Sequence, residues 1–253
     1  MKRILECCVD SPESALNAYK GGADRLELCQ DLIVGGTTPT LALYREVRKL
    51  TPGLRVHVLL RPRFGDFLYS DYEMDILEEE VAEFRKAGAD GVVIGCLTPE
   101  GDLDLDKMKR LLAQRGDMSV TLHRAFDVCK DPFKTLEECK ELGIDTILTS
   151  GQKKSALEGK DLIAELVRRA EGKVDILAGA GVNASVISAM LETIPLTSFH
   201  MSGKVTLESG MKYRKEGVPM GLDSFSEFDL MRTDETLVRK ASRALDAGLE
   251  RWQ

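Results

Sequence analysis

The sequence predicts one (β/α)8 barrel of the TIM type, a single domain spanning residues 1–253. Three observations carry that prediction. Eight short apolar runs alternate with segments of helical period, and their starts lie roughly 20–35 residues apart, the length of one strand-and-helix unit. Three helix-to-strand turns are near copies: Lys20-Gly21-Gly22-Ala23-Asp24, Lys86-Ala87-Gly88-Ala89-Asp90 and Glu141-Leu142-Gly143-Ile144-Asp145. The length of 253 residues suits one barrel of eight units better than two domains. Strands alternating with helices give parallel sheet. An open doubly wound sheet is the competing architecture, but no GxGxxG turn follows the first run, and no organic cofactor is expected.

The eight runs are Arg3–Cys8, Arg25–Cys29, Arg55–Leu60, Gly91–Gly95, Ser119–His123, Thr146–Ser150, Val174–Ala178 and Thr197–Met201. After the first run, Ser11 caps a helix with Pro12 at its first position and Glu13 in its first turn. In each copied turn a glycine takes the left-handed backbone that ends a helix, and the aspartate starts the next strand. Asp131-Pro132 opens a helix over Phe133–Leu142, Asn183 caps Ala184–Glu192, and a last helix covers Asp234–Arg251. Residues 203–233 stand outside the repeat. This long loop after the eighth strand holds Gly210, Gly217, Pro219 and Gly221, has little period, and is expected to be functional or an interface.

Composition bounds the partners. The chain is 43% hydrophobic and 30% charged, with a formal net charge of -7 and a pI near 5.2. That balance argues against nucleic acid or an anionic membrane as partner. No apolar run approaches the ~20 residues of a membrane helix. The N-terminus runs straight into a strand with no apolar leader, so a cytoplasmic address is expected. The six cysteines, Cys7, Cys8, Cys29, Cys96, Cys129 and Cys139, form no CxxC pair and are expected to be reduced.

Strand alternation sorts the side chains into a helix-facing and an inward set. Ile4, Glu6 and Cys8 share a face opposite Leu5 and Cys7; Arg25, Glu27 and Cys29 oppose Leu26 and Leu28. His57, Leu59 and Arg61 oppose Val56, Val58 and Leu60; Thr121 and His123 oppose Val120 and Leu122; Ser198, His200 and Ser202 oppose Thr197, Phe199 and Met201. The helix-facing set is nearly all apolar, so the polar set points inward. Glu6, Cys8, Glu27, Cys29, Arg61, His123 and His200 then converge at the carboxyl end of the barrel. Burying that many ionisable groups is costly unless they are paired. A structural network needs only a pair such as Glu27 with Arg61, and the larger set reads as a site. Glu6, Glu27 and His123 are its candidate acids and bases. Arg61 and Arg63 in Arg61-Pro62-Arg63, and Arg124 and Asp127 in His123-Arg124-Ala125-Phe126-Asp127, suit a carboxylate or phosphate. Ser150-Gly151, Gly179-Ala180-Gly181 and Ser202, with His200, end the last three strands, where barrels often bind anions.

The loop residues resemble a known family, the copper homeostasis protein family CutC, over nearly the whole chain. The resemblance rests on Glu6-Cys7-Cys8-Val9-Asp10-Ser11, Gly21-Gly22-Ala23-Asp24-Arg25-Leu26-Glu27-Leu28-Cys29 and Gly35-Gly36-Thr37-Thr38-Pro39. It extends through Arg61-Pro62-Arg63, Gly65-Asp66-Phe67, His123-Arg124-Ala125-Phe126-Asp127, Leu148-Thr149-Ser150-Gly151 and Phe199-His200. It implies a (β/α)8 barrel, a cytoplasmic homodimer, and a role in copper tolerance and trafficking, with Cys8 and Cys29 as Cu(I) ligands. Some family members carry a cysteine where this chain has Met201, a position that alternation turns toward the helices. Two readings stay open at this point. One is a Cu(I)-binding protein. The other is an enzyme acting on a small anionic or sugar-like metabolite, which would use the arginines and glutamates that copper does not need.

Overall fold

The structure, a computed structural model, describes residues 3–215, 217–218, 220 and 225–252. Eight parallel strands close into a barrel in chain order: β1 (Ile4–Val9), β2 (Arg25–Leu28), β3 (Arg55–Leu59), β4 (Gly91–Ile94), β5 (Ser119–Leu122), β6 (Thr146–Thr149), β7 (Asp175–Ala178) and β8 (Ser198–Met201). The helices between and after them are α1 (Pro12–Gly21), α2 (Leu41–Leu50), α3 (Asp71–Ala87), α4 (Leu105–Gln114), α5 (Pro132–Leu142), α6 (Lys160–Ala170), α7 (Ala184–Leu191) and α8 (Glu235–Leu249). Each strand matches an apolar run of the sequence to within a residue or two. The expected caps form as well. Ser11 Oγ accepts the Ser14 N–H, Asp131 accepts the Phe133 and Lys134 N–H groups, and Asn183 accepts those of Ser185 and Val186. Among the described residues no helix is long and apolar enough to cross a membrane.

Alternation divides the barrel as the sequence predicts. Leu5, Cys7, Val9, Leu26, Leu28, Val56, Val58, Leu60, Val120, Leu122, Phe199 and Met201 join the large apolar layer between strands and helices. Cys8, Cys29, Leu59 and Val93 form a separate small cluster inside the barrel. The sheet is therefore packed on both faces, as an all-parallel sheet requires.

The copied turns have a common job. Gly22, Gly88 and Gly143 adopt left-handed angles (φ 89, 84 and 68°) that end α1, α3 and α5. The aspartate that follows each one locks two strands together. Asp24, Asp90 and Asp145 carboxylates accept the backbone N–H of Leu5, Val56 and Val120 at 2.8, 2.9 and 2.8 Å. Their own N–H groups donate to the carbonyls of those same residues. β2, β4 and β6 are thus each stapled at the start to the odd strand before, at the end of the barrel opposite the carboxyl rim.

Residues 203–233 include two strands. β9 (Lys204–Glu208) and β10 (Asp229–Thr233) pair antiparallel as a two-stranded arm. Five-residue strands separated by about twenty residues carry too little period to be read from sequence. The arm is rooted on α1: the Thr233 N–H donates to Ser14 Oγ at 3.1 Å, and Asn17 donates to the Thr233 carbonyl at 2.9 Å. Pro219 and Gly221, singled out in the sequence, lie outside the described residues.

Replacing Asp145 by alanine removes a charge-assisted hydrogen bond and is expected to cost about 1–3 kcal/mol in urea unfolding. Asp145→Asn, which keeps an acceptor oxygen, loses less. An alanine variant as stable as the wild type contradicts the stapling role.

Candidate functional site

The site follows from strand register. On β1, Glu6 pairs with Arg25 of β2 on one side and with His200 of β8 on the other. One step toward the rim, Cys8 pairs with Glu27. All five side chains point inward, and neighbouring strands lie about 4.8 Å apart, so the groups must meet.

Glu6 is fully buried at the centre of this group. Its carboxylate accepts from Arg25 Nε at 2.5 Å and sits 2.7 Å from His200 Nδ1. Burial alone would push the Glu6 pKa up. The Arg25 charge, then the hydrogen bond and charge of His200, overrule it and hold the carboxyl far below the usual range. His200 is shifted the opposite way. Burial depresses it, but negative charge from Cys8 and Glu27 and hydrogen bonds to Cys8 and Glu6 hold it well above an ordinary histidine. Burial raises Glu27 to about 7, with Glu6 adding repulsion and His200 and Arg25 opposing. With Nδ1 committed to Glu6, the outer nitrogen Nε2 faces Glu27 Oε2 at 3.9 Å. One donor atom each of Cys8, Glu27 and His200 lies within 4.8 Å of the other two.

Above this group opens a cavity of about 270 Å3. Cys8, Glu27, His200 and Ser202 line one side, and Arg61, Phe67, His123 and Arg124 line the other. Leu32, Leu59, Leu148 and Val182 supply apolar surface, and Gly181 contributes backbone. Arg61 is anchored to its loops, donating to the carbonyls of Gly36 (3.1 Å) and Gly65 (2.7 Å). His123 caps the short 3-10 helix Arg124–Val128, accepting the Ala125 N–H on Nδ1 at 3.1 Å. Burial, then the Arg61 charge, pushes its pKa down to about 3, so the imidazole is neutral with its proton on Nε2.

Several expected site residues are placed elsewhere. Glu6 does not line the cavity; it is fully buried against His200 and Arg25. The histidine beside the two glutamates is His200, not His123. The pair Glu27–Arg61 does not form; Arg25 takes Glu6 instead. Arg63 turns away to Asp66 and Glu73 at 3.0 and 2.6 Å. Asp127 fills the turn after β6 as an internal anion, accepting the Ser150 and Gln152 N–H groups and the Thr149 and Ser150 hydroxyls. The Gly151 N–H goes to Thr149 Oγ1 and the Gly179 N–H to the Thr149 carbonyl. Ser150, Gly151 and Gly179 therefore have no free backbone donors for an external anion, and Asn183 occupies the first turn of α7. Cys29 is fully buried, donates its thiol to the Val9 carbonyl at 3.4 Å, and does not line the cavity. Burial, with Glu27 and Cys8 nearby, raises its pKa well above that of a free thiol. Two residues that complete the site were not assigned to it from sequence. Arg25 was legible as inward-facing, but its partner was not. Phe67 sits under both Arg61 (5.1 Å to the ring centroid) and His123 (4.6 Å between centroids) from a loop with no periodic signal.

The family model described as the CutC family matches residues 3–205, a span that holds every residue lining this cavity. A protein of Parabacteroides distasonis named as a family protein CutC is 44% identical over 240 residues, covering 94% of this chain and 99% of that protein. The human copper homeostasis protein cutC homolog is 44% identical over 237 residues, covering 93% of this chain and 86% of that protein. A crystal structure from Streptococcus agalactiae, named for copper homeostasis protein CutC, superimposes with a TM-score of 0.76 at 29% identity, over 79% of this chain and 99% of that one.

Glu6→Gln leaves the buried Arg25 charge unmatched and is expected to cost about 3–5 kcal/mol at neutral pH by chemical denaturation. The folded-state pKa of Glu6 lies below its unfolded value, so its contribution is full above about pH 5 and is lost as pH falls. The stability gap between wild type and Glu6→Gln should therefore narrow between about pH 5 and pH 3. A gap that stays constant or widens in acid contradicts the assignment.

Proposed function

The chain belongs to the CutC family, and from that premise we propose that it serves copper homeostasis by binding one Cu(I) ion through Cys8 and His200, with Glu27 as a third donor. The observation that carries this reading is the close grouping of those three donor atoms at the floor of the cavity. A thiolate and an imidazole are the donors a soft ion selects. The support behind them fits as well. Histidines that ligate metals usually give their other ring nitrogen to a carboxylate, which fixes the ring and raises its basicity. Glu6 stands in that relation to His200. The copper is cargo, open to the cavity on one side, and suited to being taken up and passed on.

This donor set differs from the thiol pair that the family resemblance implies. Cys8 is kept. Cys29 becomes part of the apolar floor with Leu59 and Val93, its proton held by the Val9 carbonyl. Met201 packs in the outer apolar layer, and its carbonyl, not its sulfur, meets the Cys8 thiol at 3.6 Å. The reading carries with it a cytoplasmic homodimer, on the strength of the resemblance.

Titration with Cu(I) against a competing chelator tests the proposal. Wild type should bind about one ion per chain, and Cys8→Ser and His200→Gln should each abolish tight binding. Glu6→Gln, which loosens the hold on the imidazole besides unpairing Arg25, should in its folded form weaken it about 10–100-fold. Cys29→Ser should bind nearly as wild type. Loss of binding in Cys29→Ser with retention in His200→Gln would sink the proposed donor set in favour of a thiol pair.

A further inference from the structure

The β9–β10 arm leaves one strand edge open. Bonded and non-bonded residue pairs alternate along an antiparallel ladder. The Asp234 N–H donates to the Gly203 carbonyl, and the Ser209 N–H donates to the Phe228 carbonyl. Between these two bonds Lys204 stands opposite Thr233 and Glu208 opposite Asp229. Val205 and Leu207 therefore turn their backbone groups toward β10, and Lys204, Thr206 and Glu208 turn theirs away. The outward groups of β10 are partly taken. Thr233 bonds Ser14 and Asn17 of α1, and the Asp229 N–H donates to the Ser226 carbonyl. The outward N–H and carbonyl groups of Lys204, Thr206 and Glu208 have no partner among the described residues. Every β9 residue except Val205 is exposed, so nothing described covers this edge. An exposed edge is a template for another strand, and a ribbon of two strands is marginal without more.

The sequence of β9 says which strand fits. Lys204-Val205-Thr206-Leu207-Glu208 is complementary to itself. About a two-fold axis through Thr206, Lys204 of each copy faces Glu208 of the other, Val205 faces Leu207, and Thr206 meets its own counterpart. The residues whose backbone points outward are then the ones that bond. Moving the axis to Val205 or Leu207 sets Thr206 opposite Lys204 or Glu208 and loses both ion pairs. The charges stand ready for the first register. Lys204 has no carboxylate partner among the described residues and lies beside Thr233. Glu208 lies beside Asp229, a like-charge pair that weakens a ladder. Arg214, 2.8 Å from Glu208, offsets one of those two carboxylates. The edge thus carries a spare positive charge at its start and a spare negative one at its end. Leu207 and Leu230 face each other across the arm, 48% and 40% exposed. A second arm continues that apolar face with its own Val205 and Leu207.

We propose that β9 is the surface through which two copies of this chain associate, joining their arms into one antiparallel sheet of four strands about a two-fold axis. The family resemblance implies only that copies pair; the arm supplies the place. The contact lies apart from the copper donors and needs no metal. Five residue pairs cover less than the about 1,200 Å2 of a stable interface, which sets the association in roughly the micromolar range.

Sedimentation velocity of the full chain tests this. Wild type should pass from monomer toward dimer across about 1–100 µM. Thr206→Pro removes an outward N–H and no bond of the arm's own ladder, and should abolish the dimer. Thr206→Val keeps that N–H and should dimerise as wild type does. Lys204→Glu and Glu208→Lys each set like charges at both ends of the contact, and each should weaken the dimer about tenfold or more. Mixed together, these two variants regain both opposite-charge pairs and should form a heterodimer of near wild-type affinity. The proposal is overturned if wild type stays monomeric at about 100 µM, if a folded Thr206→Pro variant dimerises like wild type, or if the two charge variants associate no better mixed than alone. A dimer that survives all of these substitutions uses another face, which overturns the role of β9 and leaves the expected homodimer standing.

Discussion

A carboxylate with no exposure to solvent governs the working end of this barrel. Glu6 bridges Arg25 and His200 across three neighbouring strands, and neither partner would be tolerable there without it. Removing one member of such a buried group typically costs about 3–5 kcal/mol, a large share of the 5–15 kcal/mol that holds a domain together. The arrangement does more than satisfy charge. It sets which ring nitrogen of His200 faces inward and leaves Nε2 pointing at the cavity beside Cys8 and Glu27. The chemistry at the floor is therefore fixed by a residue that does not line the cavity.

The barrel makes this bridge almost unavoidable once register is set. Parallel pairing puts Glu6 opposite both Arg25 and His200, and Cys8 opposite Glu27. Register in turn is held at the far end by the aspartates of the copied turns, of which Asp24 ties β1 to β2. A slip of one residue would turn Glu6 toward the helices and bring Leu5 inside, exchanging a satisfied ion group for a buried unpaired charge. The same ionic layer that serves the site thus also penalises misalignment of the strands that carry it. On the other side of the mouth, Arg61 and His123 are immobilised by carbonyls, by a helix cap and by Phe67, so the cavity lies between two rigid walls of different chemistry.

Much of this was legible before any coordinates. Eight apolar runs and three repeated turns suffice for the barrel, because both arise from local periodicity and glycine chemistry. Alternation also sorted the inward from the outward residues on the five strands where it was applied, since apolar side chains must face the helices. Identity of partners was not legible. Arg25 was seen to face inward, yet nothing in a strand's own sequence tells which residue of the next strand it meets, so Glu27 with Arg61 looked as reasonable as Glu6 with Arg25. Asp127 was misread for a similar reason. An aspartate beside an arginine after a barrel strand suggests ligand binding, and only the path of the following turn shows that its oxygens are consumed by Thr149, Ser150 and Gln152. The β9–β10 arm escaped notice because its strands are short and mostly solvent-exposed.

The central claim is that the imidazole aimed by Glu6 is a copper ligand beside a single cysteine. X-ray absorption at the copper edge of the Cu(I)-loaded protein reads that directly. The account predicts one sulfur per copper together with the multiple-scattering signature of an imidazole. Two sulfurs per copper with no imidazole signal would contradict it, and would mean that the Glu6–His200 contact serves the fold alone.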